Sequence, residues 1–271
     1  MSSPALRRHG PLCLALLLLA VLWVGPLPAR AETSFAAHMV LHMGVVALAA
    51  PLLAFSLGRS GLLPASAGTG RFVLPAALLE FLLIWGWHAP ALHDAARQHI
   101  GLFALEQGSF LLAGLFLWTT ALGSLGSPQT GARAAGAAGL LLTSMHMTLL
   151  GALLLLAPRP LYRCGTLCSP LATLTPLEDQ QLGGTLMLLV GGAAYLAGGI
   201  ALLAGVLRAG DGTSGQRMAE RFSFDHEERS AVDAGGIGEY SGRSERRKEP
   251  TSRPREVSAP ALSIPEAEAR P

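Results

Sequence analysis

Charge is scarce in this chain where a soluble protein would carry it. Asp, Glu, Lys and Arg make up 14% of the 271 residues, against about 25% in ordinary soluble domains. Glu32 to Leu207 holds six basic and six acidic residues, whereas Arg208 to Pro271 holds eleven and twelve. The net charge of +2 therefore hides a long, almost uncharged middle followed by a charged tail. With 51% apolar residues and a mean hydropathy of +0.43, the composition excludes an ordinary soluble domain. No basic face interleaved with aromatics is visible, which excludes a nucleic-acid partner. Also missing are a nucleophile–base arrangement, a Walker loop and a dinucleotide fingerprint, so an enzyme is the least favoured class. There is neither an internal repeat nor an inverted pair of helices of the transporter kind.

What the chain does have is apolar runs. Residues 1–31 read as a secretory signal or an uncleaved first helix. Arg7 and Arg8 precede the apolar stretch Leu12 to Val24, Gly25-Pro26-Leu27-Pro28 breaks it, and Ala29-Arg30-Ala31 fits a small-x-small cleavage site. Five further stretches approach or exceed the roughly 20 residues that a bilayer requires: Phe35 to Leu57, Phe72 to Trp87 (continuing through His88 to Leu92), Leu102 to Leu122, Ala134 to Ala157 and Leu182 to Leu207. The expected fold is an all-α, polytopic membrane helix bundle with about five mature spans over residues 32–207. Residues 208–271, rich in Gly, Ser, Arg, Glu and Pro, are expected to form a disordered tail.

Basic residues in short loops set the orientation. With Glu32 outside, the inner segments carry Arg59, Arg71, Arg133, Arg208, Arg217 and Arg221, and the outer ones Arg97, Arg159 and Arg163. The mature N-terminus is then periplasmic and the tail cytoplasmic, in the inner membrane of a bacterium. That arrangement brings every histidine between the signal and the tail to or near the outer face.

Those histidines are the main candidates for chemistry. His38 and His42 are four residues apart, on one face of a helix, and Met39 and Met43 repeat the spacing. His88 follows Trp85 and Trp87, where it is either a ligand or a member of an interfacial aromatic belt. His93, Asp94 and His99 fall in the outer loop. His146, between Met145 and Met147, lies within a span, where an unpaired histidine is costly and marks function by default. Its other reading is a hydrogen bond to a neighbouring helix. His38, His42, His88 and His146 offer nitrogen ligands, with Met39 or Met145 as softer ones, a set that favours copper over a hard cation. Glu106, Tyr162, Asp179 and Gln180 are candidate partners for orienting the imidazoles. Cys164 and Cys168 form either a reversible thiol pair or a structural disulfide. Glu80, in mid-span, is either hydrogen-bonded to a neighbouring helix or part of a proton path. Glu178 and Asp179 are placed to cap the last helix, and Gly183 and Gly184 to let helices approach closely.

Taken in order, His38-Met39-Val40-Leu41-His42, Trp87-His88-Ala89-Pro90-Ala91-Leu92-His93-Asp94, Ala104-Leu105-Glu106, Met145-His146, Pro160-Leu161-Tyr162 and Pro176-Leu177-Glu178-Asp179-Gln180-Gln181-Leu182-Gly183-Gly184 resemble the CtaG-type cytochrome c oxidase assembly factor family. The resemblance spans roughly Phe35 to Leu207. It implies a multi-pass bacterial membrane protein that helps build the copper-containing oxidase. The chain departs from the family's pattern at Phe103 and Gln107, where histidines are usual, and at Leu188, where a tryptophan is. It is also shorter than many members, which have six or seven spans. The expected function is delivery or insertion of copper from the outer face, with membrane lipid, oxidase subunits or another copper chaperone as partners. The alternatives are a metal-free scaffold for oxidase subunits and, less favoured because no interrupted helices are expected, a copper transporter.

Overall fold

The computed structural model describes residues 4–62, 68–127, 129–162 and 174–208, and every regular element among them is helical. Helix α1 runs Pro4–Val24, and a single helical turn, Leu27–Ala31, follows the break at Gly25 and Pro26. Helix α2 is Phe35–Ser60, α3 Val73–Trp87, α4 Pro90–Gln98, α5 Ile100–Gly126, α6 Thr130–Leu156 and α7 Pro176–Arg208. Gly61, at φ +74°, closes α2 in a left-handed conformation that a side chain would resist.

By length and composition α2, α5, α6 and α7 are each able to cross a bilayer. The second expected span does not run on through His88 to Leu92: α3 stops at Trp87, and α4 leaves at an angle of 73°. The cause is Pro90. It lacks an N–H and forces Ala89 into an extended conformation, at φ −64° and ψ 129°, so the helix must restart. The other spans are not uniform either. α2 passes through a π-helical stretch at Gly44–Ala49 and α7 through another at Met187–Gly191. The expectation that no helix is interrupted is therefore corrected.

The bundle is held together by close backbone approaches and a few buried polar pairs. α6 and α7 cross at Gly151 and Gly184, where a Cβ on Gly184 would stand 2.7 Å from Leu155 N and 2.8 Å from Gly151 O. Such an approach is closed to any larger residue. α1 lies against α2, with Leu22 packed on Gly44 of the π-helical stretch. In mid-bundle, Tyr195 Oη donates to Glu80 Oε1 at 2.5 Å and stacks on Trp118, whose Nε1 donates to Val46 O at 3.1 Å. Glu80 is thus hydrogen-bonded to a neighbouring helix.

The two caps divide otherwise than the sequence suggests. Glu178 joins Thr175 in a capping box at the start of α7. Asp179 instead caps α2. Its Oδ2 accepts from Phe35 N at 2.6 Å, and its Oδ1 accepts from Ser34 Oγ at 2.7 Å. Ser34 Oγ in turn accepts from Ala37 N. The carboxylate meets the positive end of the α2 dipole and satisfies the Phe35 N–H, which no helical carbonyl reaches.

Candidate metal centre

At the end of the bundle where α2, α5 and α7 begin and α3 ends, four imidazoles meet. α2 contributes His38 and His42, one turn apart with nearly parallel rings 6.2 Å between centroids. His88, at the end of α3, lies 5.8 Å from His38 and 5.3 Å from His42. His93 of α4 stands edge-on to His38 at 4.8 Å. The bend after α3 makes this convergence: a straight continuation would carry His93 away from α2. All four side chains are buried.

Aromatic rings close the group. Phe35 stacks on Tyr162 at 4.5 Å and touches His93, and Tyr162 packs on His93 at 4.4 Å. Phe110 of α5 lies 4.1 Å from His42. Tyr162 Oη donates to His88 O at 3.0 Å. Burial, aided by Asp94, pushes the Tyr162 phenol above its usual range, so it remains a donor.

One carboxylate serves the cluster. Glu106 of α5 is fully buried, its Oε2 3.9 Å from His38 Nδ1, and it accepts from Gln107 Nε2 at 3.3 Å. Ligand atoms of His38, His93 and Glu106 lie within 4.8 Å of one another. Arg97 of α4 joins them. Its Nη2 donates to Glu106 Oε2 and its Nη1 to His38 Nδ1 at 3.0 Å.

The hydrogen-bond ledger shows what this arrangement can do. His88 Nδ1 donates to Ile84 O at 2.6 Å, which leaves the lone pair on Nε2, the tautomer a metal requires. That Nε2, His38 Nε2, both nitrogens of His42, His93 Nδ1 and Glu106 Oε1 have no partner. Buried polar atoms are nearly always paired, and each unpaired one costs about 1–3 kcal/mol. A neutral ring offers one lone pair, so His42, His88 and His93 can each give a metal one nitrogen. His38 Nδ1 is occupied by Arg97, and its Nε2 carries the proton. Orphaned nitrogens on four adjacent rings fit a site whose partner is a ligand. Imidazoles with one carboxylate suit a transition metal.

The remaining candidate residues are placed as follows. His146 is buried, its ring edge-on to Phe81 at 5.3 Å, and neither nitrogen is hydrogen-bonded. Met145, next to it, is 62% exposed on the outside of the bundle and is removed as a ligand. A turn of about 100° per residue puts neighbours on different faces. Met39 is buried where α2 packs on Gly183 of α7. Asp179 and Gln180 do not orient imidazoles. Asp179 caps α2, and Gln180 ties α7 to the end of α6, donating to Leu154 O at 3.1 Å and accepting from Leu161 N at 2.7 Å. Cys164, Cys168 and the tail from 209 onward lie outside the described residues. His93 and Arg97, read from sequence only as outer-loop residues, belong to the site. Their signal was there in the four-residue spacing that places both on one face of α4.

Fold and site together define a polytopic helical membrane protein with a buried histidine–carboxylate cluster at one end of its bundle. The model of the cytochrome c oxidase caa3 assembly factor family (Caa3_CtaG) matches residues 3–209, and the chain belongs to that family. No curated protein and no solved structure matches it.

Proposed function

We propose that this oxidase assembly factor carries copper(I) as cargo on the His38–His42–His88–His93 cluster and hands it to an oxidase subunit or a partner chaperone by ligand exchange. The family's task is assembly of a caa3-type cytochrome c oxidase, which sets the direction of the reading. The observation that carries it is the set of five unpartnered buried ring nitrogens on those four histidines. Neutral imidazoles take copper(I) without releasing protons, and a ring of rotatable ligands permits stepwise exchange. The bias of basic residues supports a cluster at the outer face of the inner membrane. In this reading the protein has no turnover of its own.

Metal content by mass spectrometry tests it, on detergent-purified full-length protein under reducing conditions. About one copper per chain is expected in the wild type and little in His38→Ala/His88→Ala. Copper-free wild-type protein, together with an Arg97→Met variant that is also copper-free, would sink the proposal. A metal-free scaffold is the second reading, favoured by the Arg97–Glu106 pair, which balances charge without a metal, and by the Gly151–Gly184 crossing. It expects the histidine changes to leave oxidase assembly intact and Gly184→Leu to abolish it.

A further inference from the structure

We infer that Arg97 is a tethered cation that must leave the site before a metal can enter, so that it sets the affinity of the centre and the speed of release. The inference rests on the copper reading above and concerns how that same site is regulated. Its basis is the choice of atoms that the guanidinium takes. Nη2 donates to Glu106 Oε2, and Nη1 donates to His38 Nδ1 at 3.0 Å. His38 and Glu106 are two members of the group, with His93, whose ligand atoms converge within 4.8 Å. A guanidinium has only donors and a fixed charge, so while it stays, the lone pairs it occupies are closed to a metal.

Charge gives the same answer. Glu106 is the only carboxylate within salt-bridge distance of Arg97 or the cluster histidines among the described residues, and it is fully buried. One negative charge cannot offset both a guanidinium and a metal ion in a low-dielectric site, so the two cations compete for it.

Arg97 also has somewhere to go. Its Nη1 lies 3.4 Å from Ala31 O, and its Cζ stands 5.1 Å from the centre of the Phe103 ring, a cation–π contact. Neither partner belongs to the converging group. The side chain is 10% exposed, whereas Glu106 and His38 are sealed, so water reaches the arginine first. A metal entering from solvent meets the guanidinium and displaces it onto Ala31 and Phe103. Its return to Glu106 and His38 then competes the metal off, which converts a deep site into one that exchanges.

Anaerobic titration of the purified full-length protein with copper(I) alone, against a chromophoric copper(I) chelator, tests this. Arg97→Met removes the charge and retains the length, and should bind copper(I) at least about tenfold tighter and release it more slowly. Arg97→Lys retains the charge and should stay within about threefold of the wild type. Tight binding by Arg97→Met beside a wild type that binds none within range would support the inference equally. If the wild type binds and Arg97→Met binds no tighter, Arg97 is a strut and the inference is overturned while the copper reading stands. If neither protein binds copper(I), the copper reading falls and takes this one with it. Should Arg97→Met aggregate, Arg97→Gln puts the same question with a polar side chain.

Discussion

Replacing Asp179 by Ala tests whether α7 positions the first turn of the metal-bearing helix. In the wild type the carboxylate accepts from Phe35 N at 2.6 Å and from Ser34 Oγ at 2.7 Å, and it is 3% exposed. Hydrogen bonds to a charged group are worth about 1.5–3 kcal/mol each. Ser34 Oγ still accepts from Ala37 N when the carboxylate is gone, so its loss is partial. Phe35 N, at the open end of α2, has no other acceptor. The helix dipole adds about 0.3–1 kcal/mol. The total is about 3 kcal/mol, a fall in Tm of about 6–12 °C for a helical unit of this size. Asp179→Asn keeps an acceptor for Phe35 N and should lose about half as much. Thermal unfolding in detergent, followed by tryptophan fluorescence, reads both. His38 N bonds to Ser34 O in the same turn, so copper(I) binding should weaken in step with Tm. A Tm within 2 °C of wild type for Asp179→Ala would refute the reasoning.

Two further outcomes follow from the packing. Tyr195→Phe leaves the buried Glu80 carboxyl without its phenol donor and should cost about 1–3 kcal/mol. Glu80→Leu/Tyr195→Phe, which removes both partners, should recover much of that, and a double-mutant cycle in thermal unfolding measures the difference. Met145→Ala should leave copper(I) affinity unchanged in the same chelator titration, because its side chain points away from the bundle interior.

Much of the architecture is legible without coordinates because the bilayer is a demanding solvent. A span must be long and apolar, so Phe35–Ser60, Ile100–Gly126, Thr130–Leu156 and Pro176–Arg208 stand out in the sequence. Pro90 likewise announces a break, although the apolar residues around it argue for continuation, and the steric demand of the proline decides the case. His38 and His42 are legible as a pair because they share one helix and helical spacing needs no tertiary information.

What a sequence does not carry is the rotation of one helix against another. Met145 and His146 are neighbours, yet one faces outward and the other inward, and only the packing of α6 on α7 at Gly151 and Gly184 settles which. Asp179 looks like a cap for its own helix and serves another, because α2 and α7 begin side by side. Arg97 counts in the sequence as a loop charge that helps set orientation. Only after the chain bends at Pro90 does it reach Glu106 and His38. The sequence by itself determined that this is a helical membrane protein with histidines gathered toward one face, because hydropathy and helical period act locally. Tertiary structure alone decided which four imidazoles converge, and that a carboxylate and an arginine complete the group. Those contacts join residues of different helices, whose relative rotation no local rule specifies.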